Sequence, residues 1–253
     1  MYATERYRSI IERVVGKGRA SVVDLAGDLD VTPETIRRDL SYLERQGLVR
    51  RVHGGAVPVG RVFIEPSVDT RNEVLVDVKK RIAQAALAEI PRQGAVIVDA
   101  GSTTGRILDM IPEDYELTII TNSIEHAMRL SQRDAFTTML VGGRLRGRTL
   151  ACVDQWAVNA LAGIVADLVI MGTNGIDPVH GLTTPDMAEA NVKRAMMRSA
   201  RRSVVLADHT KFDSQHFASF ASLSEVDVLI TDDATPTHVL EQFVSPRLSV
   251  VVA

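Results

Sequence analysis

Apolar positions in the first fifty residues recur at helical spacing, whereas after Ala95 they gather in short unbroken runs, so the chain changes period partway along. Ile10, Ile11, Val14 and Val15 mark a first helix, and Val22, Val23, Leu25, Ala26 and Leu29 a second, shorter one. Asp30-Val31 reads as a turn. Thr32-Pro33 then opens a third helix: a threonine hydroxyl accepts from free first-turn amides, and proline fits the first helical position. This helix is predicted to run to about Gln46, to stop at Gly47, and to bury Ile36, Leu40 and Leu43. The alternating run Leu48–Val52, followed by His53-Gly54-Gly55-Ala56, predicts a small β-hairpin. Pro58, Gly60 and Pro66 mark a linker, and a helix resumes near Val76 with Ile82, Ala83, Ala86, Leu87 and Ile90 on its apolar side.

The later runs are Ala95–Asp99, Leu117–Thr121, Phe136–Val141, Leu168–Met171, Ser203–Ala207, Val226–Thr231 and Leu248–Val252. Most are short and rich in β-branched residues, as strands buried on both faces are, and helical stretches lie between most of them. The expected fold is α/β: a three-helix unit with a hairpin wing, then a doubly wound parallel sheet. The expected division is 1–57, a linker over 58–78, and 79–253.

Charge sharpens this division. The chain of 253 residues has a formal net charge of −3, which by itself disfavours contact with a polyanion. Residues 1–60 nevertheless hold ten Lys/Arg against eight Asp/Glu, leaving nineteen against twenty-four for the rest, so the net charges are +2 and −5. A lone cysteine, Cys152, excludes an intrachain disulfide. No apolar run is long enough to span a bilayer, and the N-terminal segment is charged and amphipathic, so a cytoplasmic location and no membrane partner are expected. His126, His180, His209, His216 and His238 lack metal-ligand spacing, and neither a metal nor a cofactor is expected. Cys152 is expected to pack as a small apolar residue, and Trp156 to anchor a helix against the sheet.

Two helices, a turn and a third helix make a helix-turn-helix, whose third helix enters the major groove. Thr32, Thr35, Arg37, Arg38 and Tyr42 lie off the apolar stripe of that helix. Arginine can bond guanine bidentately, and threonine can touch a thymine methyl. Arg50, Arg51 and His53 on the wing suit phosphate contact, which positions without specifying. The plainer alternative is a packing or protein-binding module.

In the second half, the loops after the strands carry the chemistry. Ala100-Gly101-Ser102-Thr103-Thr104-Gly105, Asn122-Ser123, Gly142-Gly143-Arg144, Gly172-Thr173-Asn174-Gly175 and Asp208-His209-Thr210-Lys211 are small, polar or glycine-rich. In an open parallel sheet such loops share one rim, where ligands bind. Glycines and hydroxyls entering a helix suit an anion. The expected phosphate cradle is Gly101, Ser102, Thr103, Thr104 and Gly105, with Asn122, Gly142 and Gly143 nearby. Lys79, Lys80, Arg144 and Lys211 would supply positive charge, and Asp99 and Asp186 would bond sugar hydroxyls. The plainer readings are glycines serving turns, a surface ion pair between Glu189 and Lys193, and a capping role for Asp186.

The stretches Asp24-Leu25-Ala26, Val31-Thr32-Pro33-Glu34-Thr35-Ile36-Arg37-Arg38-Asp39-Leu40 and His53-Gly54-Gly55-Ala56 closely resemble the DeoR family of bacterial regulators. The likeness continues through Asp99–Thr104, Thr121-Asn122-Ser123, Gly172–Gly175, Gly181–Asp186, Glu189, Lys193 and Ala207–Phe212. The resemblance implies a second half similar in fold to ribose-5-phosphate isomerase, with Asn174 and Glu189 also in the ligand site. It implies operator DNA and a phosphorylated sugar effector as partners, repression of sugar uptake or catabolism genes (fructose uptake among them), and a homodimer or homotetramer. The family commonly has glycine where this chain has Asp154 and Asp213. The alternative function is a sugar-phosphate isomerase with an appended DNA-binding domain, using Asp99, Asp186, Glu189 and Lys193. A third is a constitutive DNA-binding scaffold.

Overall fold

The computed structural model describes residues 3–16, 20–52, 54–57, 65–243 and 247–253. His53 of the expected wing, and Pro58 and Gly60 of the expected linker, lie outside the described residues, as does the side chain of Val15. The chain forms two compact units, 1–66 and 67–253.

The first unit holds α1 (Ala3–Gly16), β1 (Ala20–Ser21), α2 (Val22–Asp28), α3 (Pro33–Arg45), β2 (Arg50–Val52) and β3 (Gly55–Val57). The Thr32 hydroxyl accepts from the Thr35 amide and caps α3, and Pro33 takes the first turn. The turn before it places Asp30 at φ 51°, a left-handed conformation that short polar side chains tolerate. Ile36, Leu40 and Leu43 pack against Ile10, Val14, Leu25 and Ala26 in a closed core. The wing is a three-stranded antiparallel sheet in the order β1-β3-β2, one strand more than a simple hairpin.

The second unit begins with α4 (Val68–Glu73) and α5 (Val76–Ala86), so residues 67–78 of the expected linker fold within it. Ser67 caps α4, and buried Val68 anchors it. There follow β4 (Gln93–Val98), α6 (Thr104–Leu108), β5 (Glu116–Thr121), α7 (Ile124–Leu130), β6 (Thr137–Leu140), β7 (Arg144–Arg146), β8 (Ala151–Val153), α8 (Gln155–Leu161) and β9 (Leu168–Gly172). Then come β10 (Gly175–Asp177), β11 (Gly181–Thr184), α9 (Met187–Arg198), β12 (Ser203–Leu206), β13 (Ala218–Ala221), β14 (Val228–Thr231), α10 (Thr237–Leu240) and β15 (Ser249–Val252).

Seven strands form one parallel sheet in the order β15-β14-β12-β9-β4-β5-β6. These are the seven apolar runs of the sequence. Alternation along each strand feeds two cores: Val96 and Val98 face α5 and α6, while Ile97, Val169 and Met171 lie in the core that holds α8 and α9. The connections run outward from β4 in one direction and from β9 in the other, so the order reverses between these two neighbours. Such a switch point splays the two following loops apart and leaves a crevice at the strands' carboxyl ends.

Two further sheets were not read from the sequence: the β7-β8 hairpin, and an antiparallel sheet in the order β10-β11-β13. Trp156 does not anchor α8. It is 80 % exposed, because α8 buries Ala157 and Leu161 and the preceding residue projects about 100° around the helix from Ala157.

Asp154 and Asp213 sit at φ 76° and φ 51°. Asp154 also has ψ −175°, a region that favours glycine strongly, and its carboxylate takes an exposed contact from Arg144 Nε at 2.5 Å. Glycine adopts such conformations without strain, so a glycine would fit either position. Asp154→Gly is expected to stabilise the protein by about 1 kcal/mol, since an exposed ion pair offsets little of the strain. A melting temperature unchanged or lowered in D154G is the contrary result.

Candidate functional site

The crevice at the switch point is a cavity built by the ends of β4, β9 and β12 and the start of α5 and α9. Lys79, Asp99, Gly101, Ser102, Thr103, Thr104, Asn122, Asn174, Glu189 and Lys211 line it. So do Arg71, Thr149, Lys193 and Asp208.

Asp99, the residue after β4, is 1 % exposed. Its Oδ2 accepts from the Gly172 amide at 3.1 Å and from the Lys193 ammonium, which also donates to the Gly172 carbonyl at 3.0 Å. One buried ion pair thus bolts the end of β4 to the end of β9 and to α9. The next residues wrap into α6. The Thr104 hydroxyl donates to the Asp99 carbonyl at 2.7 Å, and Asn122 Oδ1 accepts from the Ala100 amide at 3.0 Å. Among the described residues the amides of Gly101, Ser102 and Thr103 have no acceptor, which leaves them available to an anion.

Beneath this loop lies His126, 1 % exposed, whose Nε2 donates to the Gly101 carbonyl at 3.2 Å. A Cβ on Gly105 would stand 2.6 Å from that ring nitrogen, so the glycine admits the ring. Burial, with Arg129 nearby, lowers the His126 pKa to about 4. An unfolded histidine titrates near 6.5, so between about pH 6.5 and 4 the unfolded chain binds the extra proton. Stability is complete above that window and falls as pH drops through it, by an amount on the order of 3 kcal/mol. In His126→Gln the decline across this window is expected to flatten in acid melts; an unchanged slope would assign the decline elsewhere.

Positive charge gathers on the α5 side. Lys79 is buried, and its Nζ donates to the Arg71 carbonyl at 2.5 Å. Burial lowers its pKa to about 8, with Lys211, Arg71 and Arg106 adding repulsion and Asp208 opposing. Asp208 is held below the usual carboxylate range: burial opposes this, but Lys211, the Thr210 hydroxyl and Lys79 outweigh it.

Glu189 and Lys193 are both buried, not placed on the surface as the plainer reading had them. Glu189 accepts from Arg146 Nη1 at 3.1 Å, the Thr149 hydroxyl at 2.5 Å and the Thr184 hydroxyl at 3.3 Å, while Lys193 serves Asp99. Arg71, Arg146 and Thr149 were not singled out from the sequence; β7 and β8 carry or flank the last two, and three-residue strands leave no periodic signal.

Gly142, Gly143, Asp186, Lys80 and Arg144, all sequence candidates, lie apart from the cavity lining. Gly142 has open space around its α-carbon, and Gly143, at φ 147°, lets β8 approach: a Cβ there would sit 2.4 Å from the Val153 carbonyl. Asp186 caps α9 through the Glu189 amide and meets Arg146 at 3.2 Å. Lys80 and Arg144 turn to Asp77 and Asp154 on the surface. Cys152 is buried, and its carbonyl accepts from Asn122. Among the described residues no group of three or more metal-ligating side chains forms, and no helix is long and apolar enough to cross a membrane.

In the first unit α3 presents Arg37 and Arg38, with side chains 55 % and 82 % exposed, each paired loosely with Glu34. Both can swing to a base edge at little cost. The Thr35 hydroxyl is shared with that of Thr32, which places Thr32 in the cap. Tyr42 stacks on Tyr7 at 4.8 Å and so joins α3 to α1. Arg50 is exposed, and Arg51 donates to the Ser41 hydroxyl at 2.9 Å, tying wing to helix. Asp39 is buried against Arg6, and this pair fixes the rotation of α3 on α1.

Residues 6–61 match the DeoR-like helix-turn-helix domain, and residues 75–233 match the DeoR C terminal sensor domain. The HTH-type transcriptional regulator GlpR of Haloferax volcanii is 38 % identical over 99 % of this chain and 98 % of its own. The glycerol-3-phosphate regulon repressor of Escherichia coli is 32 % identical over 95 % of each. Among solved structures, ribose 5 phosphate isomerase A from Neisseria gonorrhoeae aligns over 58 % of this chain and 56 % of its own, with a TM-score of 0.41 and 16 % identity.

Proposed function

The chain belongs to the DeoR family of transcription regulators, and from that premise we propose that its first unit reads operator DNA while the switch-point cavity takes a phosphorylated sugar or small polyol that changes operator affinity. The observation that carries this reading is the polarity of the cavity. Open amides of Gly101–Thr103 with Lys79 and Lys211 form an anion end, and Asp99, Asn122 and Glu189 offer hydroxyl partners beside it. A phosphate monoester on a polyhydroxylated chain matches both ends.

The relatives named as repressors favour release of DNA on effector binding. Helix-turn-helix proteins read symmetric operators as dimers, so a homodimer or homotetramer in the cytoplasm is part of the proposal. An isomerase is less well supported, since the relatives are named as transcription regulators.

Thermal melts test the ligand class. One of glycerol 3-phosphate, fructose 1-phosphate or fructose 6-phosphate is expected to raise the melting temperature, by about 2.7 kcal/mol of stabilisation at a hundredfold excess over Kd, while its unphosphorylated parent does not. A flat response to every phosphorylated compound contradicts the reading. For the first unit, Arg37→Ala is expected to weaken binding to DNA selected from a random pool by about 1–3 kcal/mol at fixed salt. Equal affinity of R37A and the parent protein would remove Arg37 from base contact.

A further inference from the structure

Helix α4 connects the cavity wall to the place where the chain enters the second unit. Arg71 lines the cavity, and its carbonyl accepts from Lys79 Nζ at 2.5 Å. The next carbonyl, that of Asn72, accepts from Arg106 Nη2 at 2.7 Å, and Arg106 stands one residue beyond the Gly101–Gly105 loop. At the other end of α4, the Val68 amide donates to the Arg148 carbonyl at 2.8 Å, next to Thr149, which holds Glu189. The helix has six residues, far too few to be stable alone, so these contacts from the cavity wall hold it in place.

Arg71, Arg106 and Lys211 each lie close enough to Lys79 to repel its ammonium, and Asp208 opposes them. An anion among them meets positive charge from four side chains, and a guanidinium can grip a phosphate with two N–H groups. The chain arriving from the first unit runs directly into α4.

We propose that Arg71 is an anion ligand of the cavity, and that α4 is the element through which a bound phosphate acts on the chain segment leading to the DNA-reading unit. This rests on the reading of the cavity as a phosphate site. A phosphate dianion draws the Arg71 guanidinium inward, and α4, which carries it, tightens against α5 and α6. The effect leaves the cavity through main-chain contacts, and the second unit needs no larger rearrangement.

Hydrogen exchange on the full chain, with inorganic phosphate as the probe and chloride at matched ionic strength as the control, tests this. In the parent protein phosphate is expected to slow exchange severalfold over residues 68–74. In Arg71→Gln phosphate still binds through Lys79, Lys211 and the loop amides, about tenfold more weakly, and exchange over residues 68–74 no longer responds at saturation. Arg71→Lys, which keeps the charge, is expected to restore part of the response. Undiminished protection in R71Q, or a parent protein that gains thermal stability from phosphate with no change over residues 68–74, overturns the role of α4 and leaves the cavity reading intact. Absence of phosphate binding to the parent protein overturns both.

Discussion

Replacing Lys193 with methionine is expected to destabilise the second unit by about 3–5 kcal/mol, because it leaves the Asp99 carboxylate buried without its cation. Asp99 is 1 % exposed, and without the ammonium its Oδ2 retains only the Gly172 amide. At about 2–4 °C per kcal/mol for a unit of this size, the melting temperature should fall by roughly 10 °C. The double variant Asp99→Asn/Lys193→Met removes both charges and should recover much of the loss, since a neutral amide is far less costly to bury than a carboxylate. A loss in K193M below about 1 kcal/mol, or a double variant as unstable as the sum of the singles, would show that the pair does not bolt β4 to β9.

The second large effect concerns the cavity itself. Thr103→Glu places a carboxylate among the open amides of the loop, where the phosphate is proposed to sit. Two charges about 4 Å apart at an effective dielectric near 20 repel by about 4 kcal/mol, so effector affinity should fall at least a hundredfold. Thr103 belongs to the second unit, and affinity for operator without effector is expected to stay within twofold. Thr103→Ser, which keeps a small hydroxyl, should respond as the parent protein does. An effector that still acts on T103E at its usual concentration would place the phosphate elsewhere.

The seven parallel strands were legible because each is an apolar run with β-branched residues, bounded by small polar loops. The cap of α3 was legible because threonine before proline is a local signal that needs no tertiary information. The cavity-lining residues from Asp99 to Thr104, with Asn122 and Lys211, come from one rule: loops after parallel strands share a rim; Asn174 and Glu189 came from the family resemblance. Strand order was not legible, and it is the reversal between β4 and β9 that selects those loops over the others on the same rim.

Gly142 and Gly143 show the limit of that rule. They come after β6 at the far edge of the sheet, where Gly143 admits the close approach of β8 and Gly142 faces open space. Asp186 looked like a hydroxyl partner or a cap from its spacing, and capping and Arg146 occupy it. Arg71 and Arg146 were illegible for another reason. An arginine on a six-residue helix or a three-residue strand has no periodic neighbour to fix its direction, and only the fold brings it to the cavity or to Glu189.

The central claim is that occupancy of the switch-point cavity sets affinity for DNA, and operator binding of the full chain at fixed salt, followed by anisotropy as effector is titrated, tests it most directly. The expected result is a loss of operator affinity of at least fivefold (a coupling of about 1 kcal/mol or more), with a midpoint that tracks the effector Kd measured by melting. An effector that stabilises the protein while operator affinity stays constant across the titration would contradict it.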